Sequence, residues 1–116
     1  MARKILFVIN GDPRTSARPA EGIRIAAGVG TWKKVEVTVV LAEAAVLALS
    51  EFPDELVDED NYVRYLPILG EWGRPVYVET GAPFLQDLGQ TPVPYERVTV
   101  SQVAAMAAAS DCVLRF

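Results

Sequence analysis

The stretch Lys4-Ile5-Leu6-Phe7-Val8-Ile9-Asn10, followed by the polar turn Gly11-Asp12-Pro13-Arg14-Thr15-Ser16, decides the fold. Its apolar run is unbroken, and four of its residues are β-branched or aromatic. That pattern is typical of a strand covered on both faces in a parallel sheet. A strand that enters a helix through such a turn begins a β-α series, in which ligands bind beyond the carboxyl ends of the strands. The residues from Asn10 to Arg18 are therefore the first candidates for a binding site.

Strand and helix patterns alternate along the rest of the chain. Four further strands are predicted at Val35–Leu41, Val76–Glu79, Tyr95–Val98 and Asp111–Phe116. Helical patterns between the strands cover Pro19–Gly30, Ala42–Ser50, Tyr62–Trp72, Ala82–Leu88 and Gln102–Ala109. We expect Pro67 to break the helix over Tyr62–Trp72, and Gly70 and Gly73 to end it. This order predicts one domain over residues 1–116, a three-layer α/β/α fold with a five-stranded parallel sheet.

Composition excludes several classes of function. The formal net charge is −4, with one cysteine and no histidine. Nucleic acid is not an expected partner, because the basic residues are scattered and nucleic-acid binding needs a clustered basic face. Without histidine the chain lacks the commonest general base and transition-metal ligand, so no Ser-His-Asp or Cys-His catalysis and no metal site are predicted. The single cysteine, with no export signal and no membrane-length apolar run, predicts a cytoplasmic protein that does not enter a membrane.

The acidic run between residues 51 and 60 has two interpretations. Its carboxylates could attract a cation, but the run lacks the glycine and the spacing of a calcium-binding loop. We favour a solvated acidic loop, the usual state of such a run.

Candidate ligand contacts follow the first and third predicted strands. Arg14 and Arg18 lie near a helix start, where both could reach an anion placed over backbone N–H groups. Asn10 and Asp12 belong to the same turn, and Glu79 and Thr80 end the third strand. Glu79 could bind a ligand or act as a general base, or it could be a surface carboxylate. No phosphate-loop or dinucleotide motif is present, so a small anionic ligand is expected and no cofactor is.

An aromatic-rich segment over residues 62–72 is a candidate interface. Tyr62, Tyr65, Leu69 and Trp72 either contact another subunit or pack in the core, since tyrosine and tryptophan serve both roles.

The chain resembles the DsrE-like sulfur-relay family, which includes the TusD-type sulfur carriers. The resemblance is a spread pattern rather than one sharp motif: the opening strand with its Gly-Asp-Pro turn, Glu21 with Ala26-Ala27, residues 35–41 with Ala45-Val46, residues 73–78, and residues 109–116. It implies a parallel five-stranded sheet. It also implies assembly into a homo-oligomer, such as a trimer or hexamer, or into a hetero-oligomer of sister chains.

One departure from the family pattern bears on activity. Active members carry a cysteine at the end of the third strand, where a persulfide is held, whereas this chain reads Val78-Glu79-Thr80-Gly81-Ala82. A carboxylate cannot form a persulfide. The pattern therefore favours a non-catalytic DsrE-like protein that binds a small ligand or a partner protein within a homo-oligomer.

Two alternatives remain open. The first is a sulfur-relay enzyme using Cys112, although the position of this residue in an apolar terminal strand beside Asp111 predicts an inert, buried thiol. The second is a flavodoxin-like nucleotide binder.

Overall fold

A five-stranded parallel sheet forms the centre of the protein, as predicted. The computed structural model describes residues 3–32, 34–72 and 75–116. The strands are β1 (Arg3–Ile9), β2 (Val35–Leu41), β3 (Val76–Glu79), β4 (Tyr95–Val98) and β5 (Cys112–Arg115). The α-helices are α1 (Arg18–Gly30), α2 (Glu59–Gly70) and α3 (Val100–Ala108), and two short 3₁₀ helices cover Glu43–Leu49 and Leu85–Asp87. The strand order is β4-β3-β2-β1-β5, and every neighbouring pair is parallel.

Apolar residues of β1 and β2 point alternately to the two faces of the sheet. Phe7 and Leu41 are buried on the front face, the side on which α1 and α2 pack. Leu6 and Val40 are buried on the back face, beneath Met106 of α3. This burial on both faces explains the unbroken apolar runs and confirms the three-layer α/β/α fold.

Helix α2 differs from its prediction. It begins at Glu59 and continues through Pro67 to Gly70, so the expected break at Pro67 was wrong. Pro67 and Val63, four residues earlier, both lie on the exposed side of the helix. Water can therefore satisfy the Val63 carbonyl that a proline leaves without its N–H donor. Gly73, which was expected to end this helix, lies outside the described residues.

Cys112 also differs from its prediction, because its side chain is exposed rather than buried. Strand β5 is an edge strand that pairs with β1 alone, and Cys112 is its first residue, opposite Ile5. A strand at the edge of a sheet has a neighbouring strand on one side only, so the apolar sequence of β5 does not bury its first residue.

The acidic run lies at the surface, as expected. The carboxylates of residues 51–60 are exposed, apart from a half-buried Glu59 at the start of α2. Among residues 3–32, 34–72 and 75–116, no three acidic or cysteine side chains gather as ligands for a metal ion. None of the described helices is both long enough and apolar enough to cross a bilayer.

Candidate functional site

Asp12 and Arg14 form a tight pair in the loop after β1. Asp12 Oδ1 accepts hydrogen bonds from the Arg14 backbone N–H at 2.9 Å and from Arg14 Nε at 3.0 Å, and Asp12 Oδ2 lies 2.8 Å from Arg14 Nη2. These bonds from Arg14 lower the pKa of Asp12, and the same pairing raises the pKa of Arg14. The Asp12 carboxylate therefore remains ionised and holds the Arg14 side chain in one direction.

Several backbone N–H groups of this loop already have hydrogen-bond partners within the fold. Thr15 and Ser16 donate to the Asp12 carbonyl oxygen, and Gly11 donates to the Phe116 carbonyl oxygen at 3.3 Å. Ser16 Oγ accepts from the Arg18 backbone N–H at 3.1 Å. The loop is thus ordered largely by its own hydrogen bonds, and an anion seated over its N–H groups stays a prediction.

Arg14 reaches the segment that follows β3. Its guanidinium carbon lies 4.9 Å from the centroid of the Phe84 ring, within the range of a cation–π contact. Phe84 has φ = +69°, a left-handed conformation that is uncommon for a bulky residue and often marks a functional loop. The loops after β1 and β3 are therefore in direct contact at the carboxyl edge of the sheet.

An open depression of about 310 Å³ lies beside this contact, between β4 and the segment after β3. It is lined by Thr80, Ala82, Pro83, Phe84, Leu85, Gln86, Asp87 and Arg97. The Thr80 N–H donates to the Val98 carbonyl oxygen at 2.9 Å, which fixes Thr80 at the end of β4. Arg97 is exposed, and no described carboxylate forms an ion pair with it. The depression thus combines an unpaired guanidinium with hydroxyl and amide groups, the donor set that holds an anion.

Asn10 and Glu79 stand at the same level of the sheet but on different strands. Each lies one residue beyond the row formed by Ile9, Leu41 and Val78, and β2 lies between their strands. At ordinary strand spacing their backbones are roughly 9–10 Å apart. Glu79 follows Tyr77 in alternation and faces the back of the sheet, whereas Arg97, paired with Val78, faces the front. Glu79 is therefore a neighbour of the depression rather than part of its lining.

Arg18 points toward the opposite edge of the sheet. Its Nη2 donates to the Arg115 carbonyl oxygen at 3.4 Å, and its guanidinium carbon lies 5.9 Å from the centroid of the Phe116 ring. The six candidate residues are thus not brought together at one point. Thr80 lines the depression, Arg14 borders it through Phe84, and Asp12 positions Arg14.

The four candidate interface residues divide by burial. Tyr62 and Leu69 are buried in the core of the protomer, whereas Tyr65 and Trp72 are partly exposed. Burial raises the pKa of Tyr62, with a smaller contribution from Asp58. The buried Tyr62 hydroxyl has no hydrogen-bond partner among the described residues. Only Tyr65 and Trp72 of the four present surface to another subunit, so an interface through them stays a prediction.

Sequence reasoning missed Phe84 and Arg97. Arg97 did carry a signal, because it is a charged residue next to the carboxyl end of a correctly predicted strand. Phe84 carried no such signal, because its contact with Arg14 depends on the path of a loop 70 residues further along the chain.

Comparison with known proteins agrees with this architecture. The crystal structure of the ychN protein from E. coli is similar to this chain, with a TM-score of 0.79 and 23% sequence identity. The alignment covers 98% of this chain and 99% of that chain. Neither a protein-family model nor a curated protein sequence matches the chain. The likeness shows the fold, which is DsrE-like, as the resemblance in the sequence implied.

Proposed function

We propose that this protein binds a small anionic ligand in the depression between β4 and the segment after β3, without forming a persulfide there. The observation that carries the proposal is the contact of Arg14 with Phe84. It brings a cation from the first loop to the rim of a depression that already contains Thr80 and Arg97.

The donors around the depression suit a compact anion. Arg97 supplies a guanidinium with no ion-pair partner among the described residues, and Thr80 supplies a hydroxyl. Arg14 uses Nε and Nη2 for Asp12, which leaves Nη1 available. Two guanidinium groups and a hydroxyl recognise phosphate-like or carboxylate groups well. Asp87 lies in the same lining and would favour a ligand that also carries a hydrogen-bond donor.

The end of β3 lacks the atom that sulfur transfer requires. Glu79 and Thr80 occupy this place, and neither a carboxylate nor a hydroxyl can hold a sulfane sulfur. Recognition rather than covalent chemistry is therefore the proposed activity at this edge. We also propose, from the resemblance, that the protein acts in the cytoplasm as a homo-oligomer.

Calorimetric titration with inorganic phosphate tests the ligand site. We expect saturable 1:1 binding that weakens at least tenfold in Arg97→Ala. The matched control is Arg115→Ala, an exposed arginine near the carboxyl end of β5, the opposite edge of the sheet, and it should bind as the wild type does. Equal loss in both variants would indicate a general charge effect and would count against the site. Wild-type protein that takes up no phosphate or sulfate would also contradict it.

Exposure of the Cys112 thiol favours a second candidate, a sulfur carrier that uses this residue. Cys112 starts β5, so it lies at the amino edge of the sheet, away from the depression. Incubation with a cysteine desulfurase and labelled cysteine separates the two proposals. Label retained by the wild type and lost in Cys112→Ser would support sulfur transfer, and no retained label would leave the binding function.

A further inference from the structure

Trp32 is a large apolar side chain left at the surface. It follows the end of α1, and 67% of its side chain is exposed. Backbone hydrogen bonds bring two exposed basic residues close to it in the fold: the Val35 N–H donates to the Trp32 carbonyl oxygen, and the Arg3 N–H donates to the carbonyl oxygen of Lys34. Trp32 is therefore an exposed indole with Arg3 and Lys34 near it, and these two residues are its basic collar. Tryptophan is enriched at the centres of protein interfaces, where its burial contributes strongly.

A second surface has the complementary properties. A groove of about 170 Å³ lies between α2, the segment before it and Pro92, and its lining is mostly apolar. Tyr62 and Leu66 form its buried part, and Val63, with 65% of its side chain exposed, lies on its border. Phe52 is adjacent in the chain to the lining residues Glu51 and Pro53, and it is 74% exposed. These residues form an apolar surface of the kind that marks an interaction site.

The charges beside this groove oppose those beside Trp32. Six of the ten residues between 51 and 60 are acidic and none is basic, and Glu51 lines the groove itself. The collar of Trp32 contains Arg3 and Lys34, and the acidic residue nearest to Trp32 in the sequence is Glu36, four positions later. Opposite charges around matching apolar centres favour docking of one surface on the other and disfavour docking of either surface on itself.

We infer that Trp32 of one copy of this chain docks into the α2 groove of the next copy. The occupant is a second copy because this chain carries both halves of the contact, an aromatic anchor with a basic collar and an apolar groove with an acidic border. Each subunit then gives Trp32 to one neighbour and receives the Trp32 of another, which is a heterologous, head-to-tail contact. The inference rests on the proposed homo-oligomer and names its surfaces.

The ligand site can fail or succeed independently of this contact. Among the residues that the structure describes, none lines both the groove and the depression. A variant that loses self-association but still binds phosphate would therefore separate the contact from the ligand site. A variant that loses phosphate binding but still associates would separate them as well.

Size-exclusion chromatography with light scattering tests the inference. We expect the wild type to associate, and Trp32→Ala and Val63→Arg to be monomeric while remaining folded by circular dichroism. Val100→Arg is the matched control. Val100 is 66% exposed and belongs to α3, which packs on the back face of the sheet, whereas α1 and α2 pack on the front face. This variant should therefore associate as the wild type does. Phe52→Asp is a second groove variant and should also be monomeric. Because Phe52 is exposed, this substitution removes no core packing.

Mixing the two monomeric variants gives the sharpest result. The Trp32→Ala chain keeps an intact groove, and the Val63→Arg chain keeps an intact Trp32, so an equimolar mixture should form a 1:1 dimer and stop there. The tryptophan emission of the mixture should shift to the blue as Trp32 leaves water. A mixture that stays monomeric, or single variants that associate like the wild type, would overturn the docking of Trp32 into the groove but not the proposed homo-oligomer. A wild type that is monomeric at all concentrations would overturn the proposed homo-oligomer as well.

Discussion

The guanidinium of Arg14 lies over the ring of Phe84, 4.9 Å from its centroid, and joins the loop after β1 to the loop after β3. Arg14 is held in this direction by Asp12, which accepts three of its hydrogen bonds. A series of contacts from Asp12 through Arg14 to Phe84 thus organises the carboxyl edge of the sheet. Phe84, the last residue of this series, also lines the depression.

Replacing Arg14 should raise the pKa of Asp12. In the wild type, hydrogen bonds from Arg14 lower the pKa of Asp12 below its ordinary value of 3.8. Because the folded-state pKa is depressed, the pairing stabilises the fold above the unfolded-state pKa and loses this effect as the pH falls through the folded-state pKa. In Arg14→Ala, which keeps the backbone N–H bond to Asp12 and loses the guanidinium bonds, an NMR titration of the Asp12 carboxyl should show a higher pKa than in the wild type, whereas Arg24→Ala should leave it unchanged. An unchanged pKa in Arg14→Ala would contradict the pairing.

Two glycines near the end of α1 should respond in opposite directions to alanine. A Cβ at Gly28 would have no atom of the described residues within 4 Å, so Gly28→Ala should raise the free energy of unfolding by up to about 1 kcal/mol through helix propensity. A Cβ at Gly30 would collide with the Trp72 ring, so Gly30→Ala should lower it. Urea titrations of the two variants measure this contrast. Equal effects of the two substitutions would show that Trp72 does not pack against Gly30.

The Tyr62 hydroxyl should contribute nothing favourable to stability. It is buried and has no hydrogen-bond partner among the described residues, so its desolvation is uncompensated. Tyr62→Phe should therefore be as stable as the wild type or more stable, by up to about 2 kcal/mol. Thermal and urea unfolding provide the measurement. A loss of more than about 1 kcal/mol would indicate a bound water or another partner at this hydroxyl.

Cys112 should react with a thiol reagent in the native protein. Its side chain is exposed on the edge strand β5, so Ellman's reagent should modify it in buffer at a rate close to that in urea. Modification that requires unfolding would mean that Cys112 is covered, as the sequence alone had suggested.

The sequence predicted the features that depend on local pattern. The bounds of β2, β3 and β4 agree with their predictions, because each is an apolar or alternating run between clear turn signals. Thr99 caps α3 in a capping box with Gln102, an arrangement that depends only on residues three positions apart in the sequence.

Features that depend on tertiary position were not predictable in the same way. The exposure of Cys112 follows from the edge position of β5 in the strand order, which no local pattern specifies. Likewise, Pro67 is accommodated because its side of α2 meets water. Arg18 and Arg14 belong to one polar turn, yet Arg18 turns toward Phe116 and Arg14 toward Phe84. The candidate residues of the first and third strands therefore lie at one edge of the sheet, as the sequence predicted, but the path of the loops separates Arg18 from Arg14.

We propose that an anion binds between Thr80, Arg97 and the rim formed by Arg14 and Phe84. The most direct test is a titration of ¹⁵N-labelled protein with inorganic phosphate, followed by two-dimensional NMR. We expect saturable chemical-shift changes at the backbone amides of Thr80 and Phe84. The side-chain Nε–H signals of Arg97 and Arg14 should shift as well, and the Arg18 signals should stay unchanged. Shifts confined to the residues around Arg18 and Phe116, or no saturable shifts at all, would contradict it.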